Sequence, residues 1–170
     1  MHMRLLVFLL LGLSLGRSGW AQDFPKDFSL PIELGQGFNQ PVGSPPLYLL
    51  TLQAVPQVTL IPGHLRLGAV VGGFYPGARV GGLAGPRLTL KVLQGPPVLS
   101  ATSFNVHLIG EFLWATAPGR GRQLLGGGIG LGSSDLVAVS FKLHRDLVWP
   151  STWFQFGLSY NPAKPKTPPL

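Results

Sequence analysis

Few side chains in this chain could do chemistry, and their spacing keeps them apart. Beyond residue 21 the histidines are His64, His107 and His144, with no ligand-like spacing among them, and there is no cysteine to supply a thiolate. His107 and Glu111 share a face if their segment is extended, as a metal-holding or acid–base pair would need. Four strand residues nonetheless separate them by roughly 13 Å. That distance excludes a shared ligand unless the chain bulges. Ser140 and His144 are spaced in the same way, and Ser133-Ser134-Asp135 has the composition of a turn. The glycine run from Gly126 to Gly132 contains no G-x-G-x-x-G, and no Lys-Ser or Lys-Thr follows it at the spacing of a P-loop. It reads as a strand with small side chains. What remains is electrostatic: one acid, Glu111, among the basic His64, Arg66, Arg87, Lys91 and His107. These six would form an ion-pair network if they faced one enclosed space. No metal or other cofactor is expected.

The elements that must position them read as strands. From Arg87 to Leu93, the residues Arg87, Thr89 and Lys91 share one face and Leu88, Leu90 and Val92 the other, because successive strand side chains point to opposite sides. From Phe104 to Trp114 the apolar face holds Phe104, Val106, Leu108, Phe112 and Trp114, against Asn105, His107 and Glu111. The same division recurs from His64 to Val71 and from Leu125 to Leu131. It recurs again from Val137 to His144, with Ala138, Ser140, Lys142 and His144 on the polar side, and from Phe154 to Asn161. Breaks fall at turn chemistry: Pro76-Gly77, Gly95-Pro96-Pro97, Pro118-Gly119, Gly132-Ser133-Ser134 and Trp149-Pro150-Ser151. A strand at Leu47 to Ala54 makes seven, and a weaker one near Phe28 to Phe38 makes eight. Pro56, Pro62 and Pro86 leave that count open by one.

The polar face is built largely of Gly, Ala and Ser, where a water-facing surface would be charged. Small residues suit the interior of a narrow barrel. Charged residues make up only 11% of the chain, against roughly 25% in soluble domains. Aromatics at Phe112 and Trp114, and at Trp149, Trp153 and Phe154, stand where an interfacial girdle would.

Residues 1–21 have the form of a cleavable secretory leader: a basic start at Arg4, an uncharged run from Leu5 to Gly16, and small residues at Gly19 and Ala21 before the expected cut. The apolar run is too short to span a bilayer as a helix, which needs roughly 20 residues. Removing Arg4 and Arg17 with the leader lowers the formal charge from +7 to +5. The excess suits anionic lipid or an anionic envelope polymer, and nucleic acid is not expected as a partner of an exported chain. Residues 22–161 then form one β-domain, followed at 162–170 by a Pro-rich tail.

With this leader, alternating strands, a glycine-dense strand at Gly126 to Gly132 and an aromatic-rich last strand, the chain resembles the small, roughly eight-stranded bacterial outer-membrane β-barrels. It departs from them at the end, where Tyr160 is followed by the Pro-rich tail in place of a terminal aromatic. The resemblance implies an all-β, antiparallel up-and-down barrel of about eight strands. It also implies residence in the outer membrane, contact with its lipid, and a structural, adhesive or minor pore role. A soluble exported barrel or sandwich that binds an apolar ligand, in the periplasm or secreted, is the alternative. It would bury Leu88, Leu90 and Val92. A third reading, an envelope lipid hydrolase, would use Ser140 and His144, although no His stands two residues before a Ser as in lipid A deacylases.

Overall fold

The computed structural model describes residues 28–76, 79–98, 102–117, 120–132 and 137–162, and every regular element among them is a strand. The expected leader, and all but the first residue of the expected tail, lie outside the described residues. In chain order the strands are β1 (Phe28–Ser29), β2 (Ile32–Pro41), β3 (Leu47–Ala54), β4 (Gln57–Ile61) and β5 (Leu65–Tyr75). They continue with β6 (Gly81–Val98), β7 (Thr102–Ala117), β8 (Arg120–Gly132), β9 (Val137–Asp146) and β10 (Ser151–Tyr160).

Two of the breaks are made by proline. Pro31 parts β1 from β2 and Pro56 parts β3 from β4, each removing a ladder N–H. The register is unaffected: Ser29 faces Gln57 and Ile32 faces Ala54, three residues further along each strand. Likewise Ala54 faces Val71 and Gln57 faces Gly68. Val55 donates to the Pro31 carbonyl at 2.8 Å and Ala69 to the Pro56 carbonyl at 3.0 Å, so pairing passes through both interruptions. The ten strands therefore form eight staves. Each pairs antiparallel with the next, β10 pairs with β2 and β5 with β6, and the ring closes as an eight-stranded up-and-down barrel. Closure leaves no free edge along the ring.

The turns follow local chemistry. Gly43 and Gly63, both at φ 76°, take the left-handed conformation that a side chain disfavours, in the β2–β3 and β4–β5 connections. At the β9–β10 corner Asp146 Oδ1 accepts the N–H groups of Val148 and Trp149 at 2.9 and 3.0 Å. One expected turn is not a turn. β6 runs through Gly95-Pro96-Pro97 to Val98, with irregular register after Lys91 and after Gln94. The first irregularity takes up one residue, so that Leu93, not Val92, is the exposed neighbour of Leu90 on the outer face.

Alternation sorts the side chains into two opposite environments. Outward stand Leu34, Phe38, Leu52, Leu67, Leu88, Leu108, Ile129, Phe141, Phe156 and Leu158, all exposed. Inward stand Glu33, Thr51, Gln53, Arg66, Arg87, Glu111, Ser140, Lys142, His144 and Gln155, all buried. The middle of the barrel's inside is polar, and its outside is predominantly apolar.

Candidate functional site

The middle of the lumen is occupied by charges contributed from four staves. Glu33 stands on β2, Arg87 on β6, Glu111 on β7, and Lys142 and His144 on β9; Lys142 is 0% exposed. Arg87 grips Glu111 through Nε and Nη2, and both Nη1 and Nη2 lie 3.1 Å from Glu33 Oε2. Lys142 Nζ donates to Glu33 Oε1 and lies 3.4 Å from Glu111 Oε1. Each cation therefore touches both carboxylates, and each carboxylate touches both cations. The result is a closed ring of four alternating charges with no formal excess. His144 Nε2 lies 2.7 Å from the second Glu111 oxygen and completes its coordination.

Missing side chains make this geometry possible. Lys142 on β9 reaches Glu33 on β2 obliquely across β10, passing Gly157, which lies between Gln155 opposite Lys142 and Ser159 opposite Glu33. A Cβ there would stand 2.9 Å from Glu33 Oε1 and 2.6 Å from Ser140 Oγ. In the same way Gln155 on β10 donates to Thr51 Oγ1 on β3 across β2, at 2.5 Å. A Cβ on Gly35 would stand 2.1 Å from Gln155 Nε2 and 2.4 Å from Thr51 Oγ1.

Toward the end of the barrel that carries the β2–β3 and β9–β10 turns, the lumen is closed by apolar side chains. Leu49, Phe74, Leu83, Leu113, Leu124 and Trp153 are buried there, with the rings of Phe74 and Trp153 5.1 Å apart. Arg122 extends over Trp153 at 5.9 Å and pairs with Asp146 at 3.1 Å. A lumen this narrow is filled by side chains. Burying the ring contributes little stability by itself, because desolvation offsets attraction, but removing one member leaves a buried charge uncompensated.

Of the six residues singled out in sequence, Arg87 and Glu111 belong to this ring. Arg66, Lys91 and His107 are also buried, toward the opposite end. Arg66 Nε donates to Thr59 Oγ1 at 3.2 Å and Lys91 Nζ to Gln94 Oε1 at 3.2 Å, and His107 faces Lys91 in the β6–β7 ladder. His64 lies apart, half-buried in the β4–β5 turn, with Nδ1 3.1 Å from the Pro62 carbonyl. Two ring members, Glu33 and Lys142, stand outside those six, as does His144, which the sequence offers only as a partner for Ser140. Lys142 is legible from its parity with Ser140 on the polar face of β9. Glu33 lies in the segment whose alternation reads most weakly.

Ser140 and His144 do not form a nucleophile–base pair. His144 uses Nε2 on Glu111, and neither Ser140 Oγ nor His144 Nδ1 makes a hydrogen bond. Among the described residues no group of three or more His, Asp or Glu side chains could hold a metal ion. No described helix is long and apolar enough to cross a membrane. No family model, curated protein or solved structure matches the chain, so its functional reading rests on this geometry.

Proposed function

We propose that this chain is an exported, non-catalytic outer-membrane β-barrel protein with a structural or adhesive role and a lumen sealed to ions. One observation carries the reading: most large apolar side chains of the staves face outward while the ring of charges is enclosed. A hydrocarbon surround favours that inversion, since it solvates leucine and phenylalanine and cannot solvate an ammonium or a carboxylate. The soluble alternative needs Leu88 and Leu90 inside; they are 45% and 39% exposed. Leaving so many aliphatic side chains in water would cost roughly 1.5–3 kcal/mol for each one fully exposed.

Closure supports the location as well. An open sheet in lipid would leave a row of unpaired N–H and C=O groups, and the β5–β6 and β2–β10 ladders remove both edges. The sealed lumen argues for a role played by the barrel and its turns, and against passage through it. Fractionating the exported protein with and without detergent tests the proposal. Recovery with the membranes, and release by detergent but not by high salt, is the expected result. Recovery of folded protein in the soluble fraction without detergent would overturn it.

A further inference from the structure

Among the described residues, the outer face carries one polar side chain that its surroundings do not explain. Gln36 on β2 is exposed, with Leu34 and Phe38 beside it along the strand and Leu50 and Phe156 beside it across the ladders. All four neighbours are apolar and exposed. Its amide makes no hydrogen bond with any described residue. The outward polar side chains Thr116, Gln123, Arg145 and Thr152 stand within three residues of a strand end, at the rim, whereas Gln36 stands five residues short of Pro41. In the apolar belt a carboxamide lacks both the donor and the acceptor that water would provide.

The two flanks of Gln36 have complementary shapes. On the β3–β5 side runs an apolar groove of about 630 Å³, lined by Leu34, Leu50, Leu52, Val71, Tyr75 and Val80. Gly73, which faces Leu52 and has no side chain, contributes to its floor. On the β10 side stands an aromatic ridge in which Phe38 and Phe154 stack at 4.9 Å and Phe156 follows.

We infer, resting on the membrane reading above, that this face docks a second copy of the same chain about a two-fold axis that runs past Gln36 parallel to the barrel axis. A carboxamide both donates and accepts, so the group that satisfies it fully is another carboxamide turned to face it, which an isologous interface supplies. The same rotation carries the ridge of each copy onto the groove of the other. Polar side chains join membrane-embedded segments in this way, with van der Waals packing supplying the remainder.

The test uses the mature protein in detergent micelles, with its mass followed by sedimentation over a range of protein-to-detergent ratios. A reversible dimer is expected. Gln36→Leu should raise its dissociation constant roughly 3- to 30-fold, and Gln36→Asn should lie between it and the wild type. The native chain has no cysteine, so a single Gln36→Cys should cross-link to its copy with a short bis-maleimide. Leu108→Cys, on the opposite wall in β7, should not. A monomer at every ratio, or a dimer unchanged by Gln36→Leu, overturns the inference, as does equal cross-linking at both positions. A detergent-requiring monomer defeats the dimer alone, whereas folded protein that needs no detergent defeats the membrane reading and the dimer with it.

Discussion

Replacing Lys142 with Met tests the lumen ring most directly, because the side chain is fully buried and touches both carboxylates. Methionine has similar length and fits the same space, so packing changes little and the charge is what is lost. Glu33 and Glu111 then share Arg87, and the ring goes from neutral to one net negative charge in a closed interior. Removing one partner of a buried ion pair costs about 3–5 kcal/mol. With a urea slope of about 2 kcal/mol/M, the unfolding midpoint of the barrel in micelles should fall by about 2 M. Adding Glu33→Gln removes the surplus charge, so Lys142→Met with Glu33→Gln should be more stable than Lys142→Met alone. The two sites should be coupled by about 0.5–3 kcal/mol. Urea titrations followed by tryptophan fluorescence measure all three midpoints against the wild type. A Lys142→Met midpoint within about 0.3 M of wild type, or strict additivity in the double variant, would falsify the ring as a mutually dependent unit.

Three further outcomes follow from the same structure. Phe141, 57% exposed between Phe156 and Ile129, should tolerate Arg in a soluble protein but lose roughly 2–4 kcal/mol of folding stability in a bilayer; equal stability of Phe141→Arg and wild type in liposomes would contradict a lipid-facing wall. Gly35→Val should displace Gln155 from Thr51 and cost about 1–3 kcal/mol through overpacking and the lost hydrogen bond, read as a lower melting temperature in micelles. In planar bilayers the wild-type barrel should pass no steady single-channel current, since Phe74, Trp153 and their apolar neighbours close one end and the ring fills the middle; large stable openings would show that the lumen is not sealed.

Much of the barrel was legible because period-two alternation is a local property. Segments such as Phe104 to Trp114 and Val137 to His144 state their two faces without reference to the rest of the chain. Where the reading weakened, two faces had locally exchanged their usual markers. At Glu33 to Phe38 the inward positions 35 and 37 are glycine and the outward position 36 is glutamine, so polarity no longer separates inside from outside, and Glu33 was passed over with its strand. Proline misled in the other direction. Pro86 reads as an uncertain strand position and Gly95-Pro96-Pro97 as a turn, yet β6 runs through both, paired with β5 at Pro86 and with β7 at Pro97, while at Pro56 the ladder is interrupted and resumes in the same register. The ring itself could not be read from any one strand, because its bonds skip a stave. Lys142 meets Glu33 past Gly157, and only the closed ladder order brings those three positions together.

That long reach has a consequence for how the molecule assembles. Lys142 and Glu33 lie 109 residues apart in the chain, so the first full stave supplies an acid whose base arrives only with the penultimate one. A half-built sheet would present Glu33, Arg87 or Glu111 without its full set of counter-charges, and in hydrocarbon each such intermediate is strongly disfavoured. On the membrane reading proposed above, insertion stave by stave is uphill until the circle closes, whereas entry of a sheet already close to complete is not. On that reading the enclosed charges would act as a proofreading step on assembly, since a barrel short of one stave is costly to leave in a bilayer and the finished ring is not.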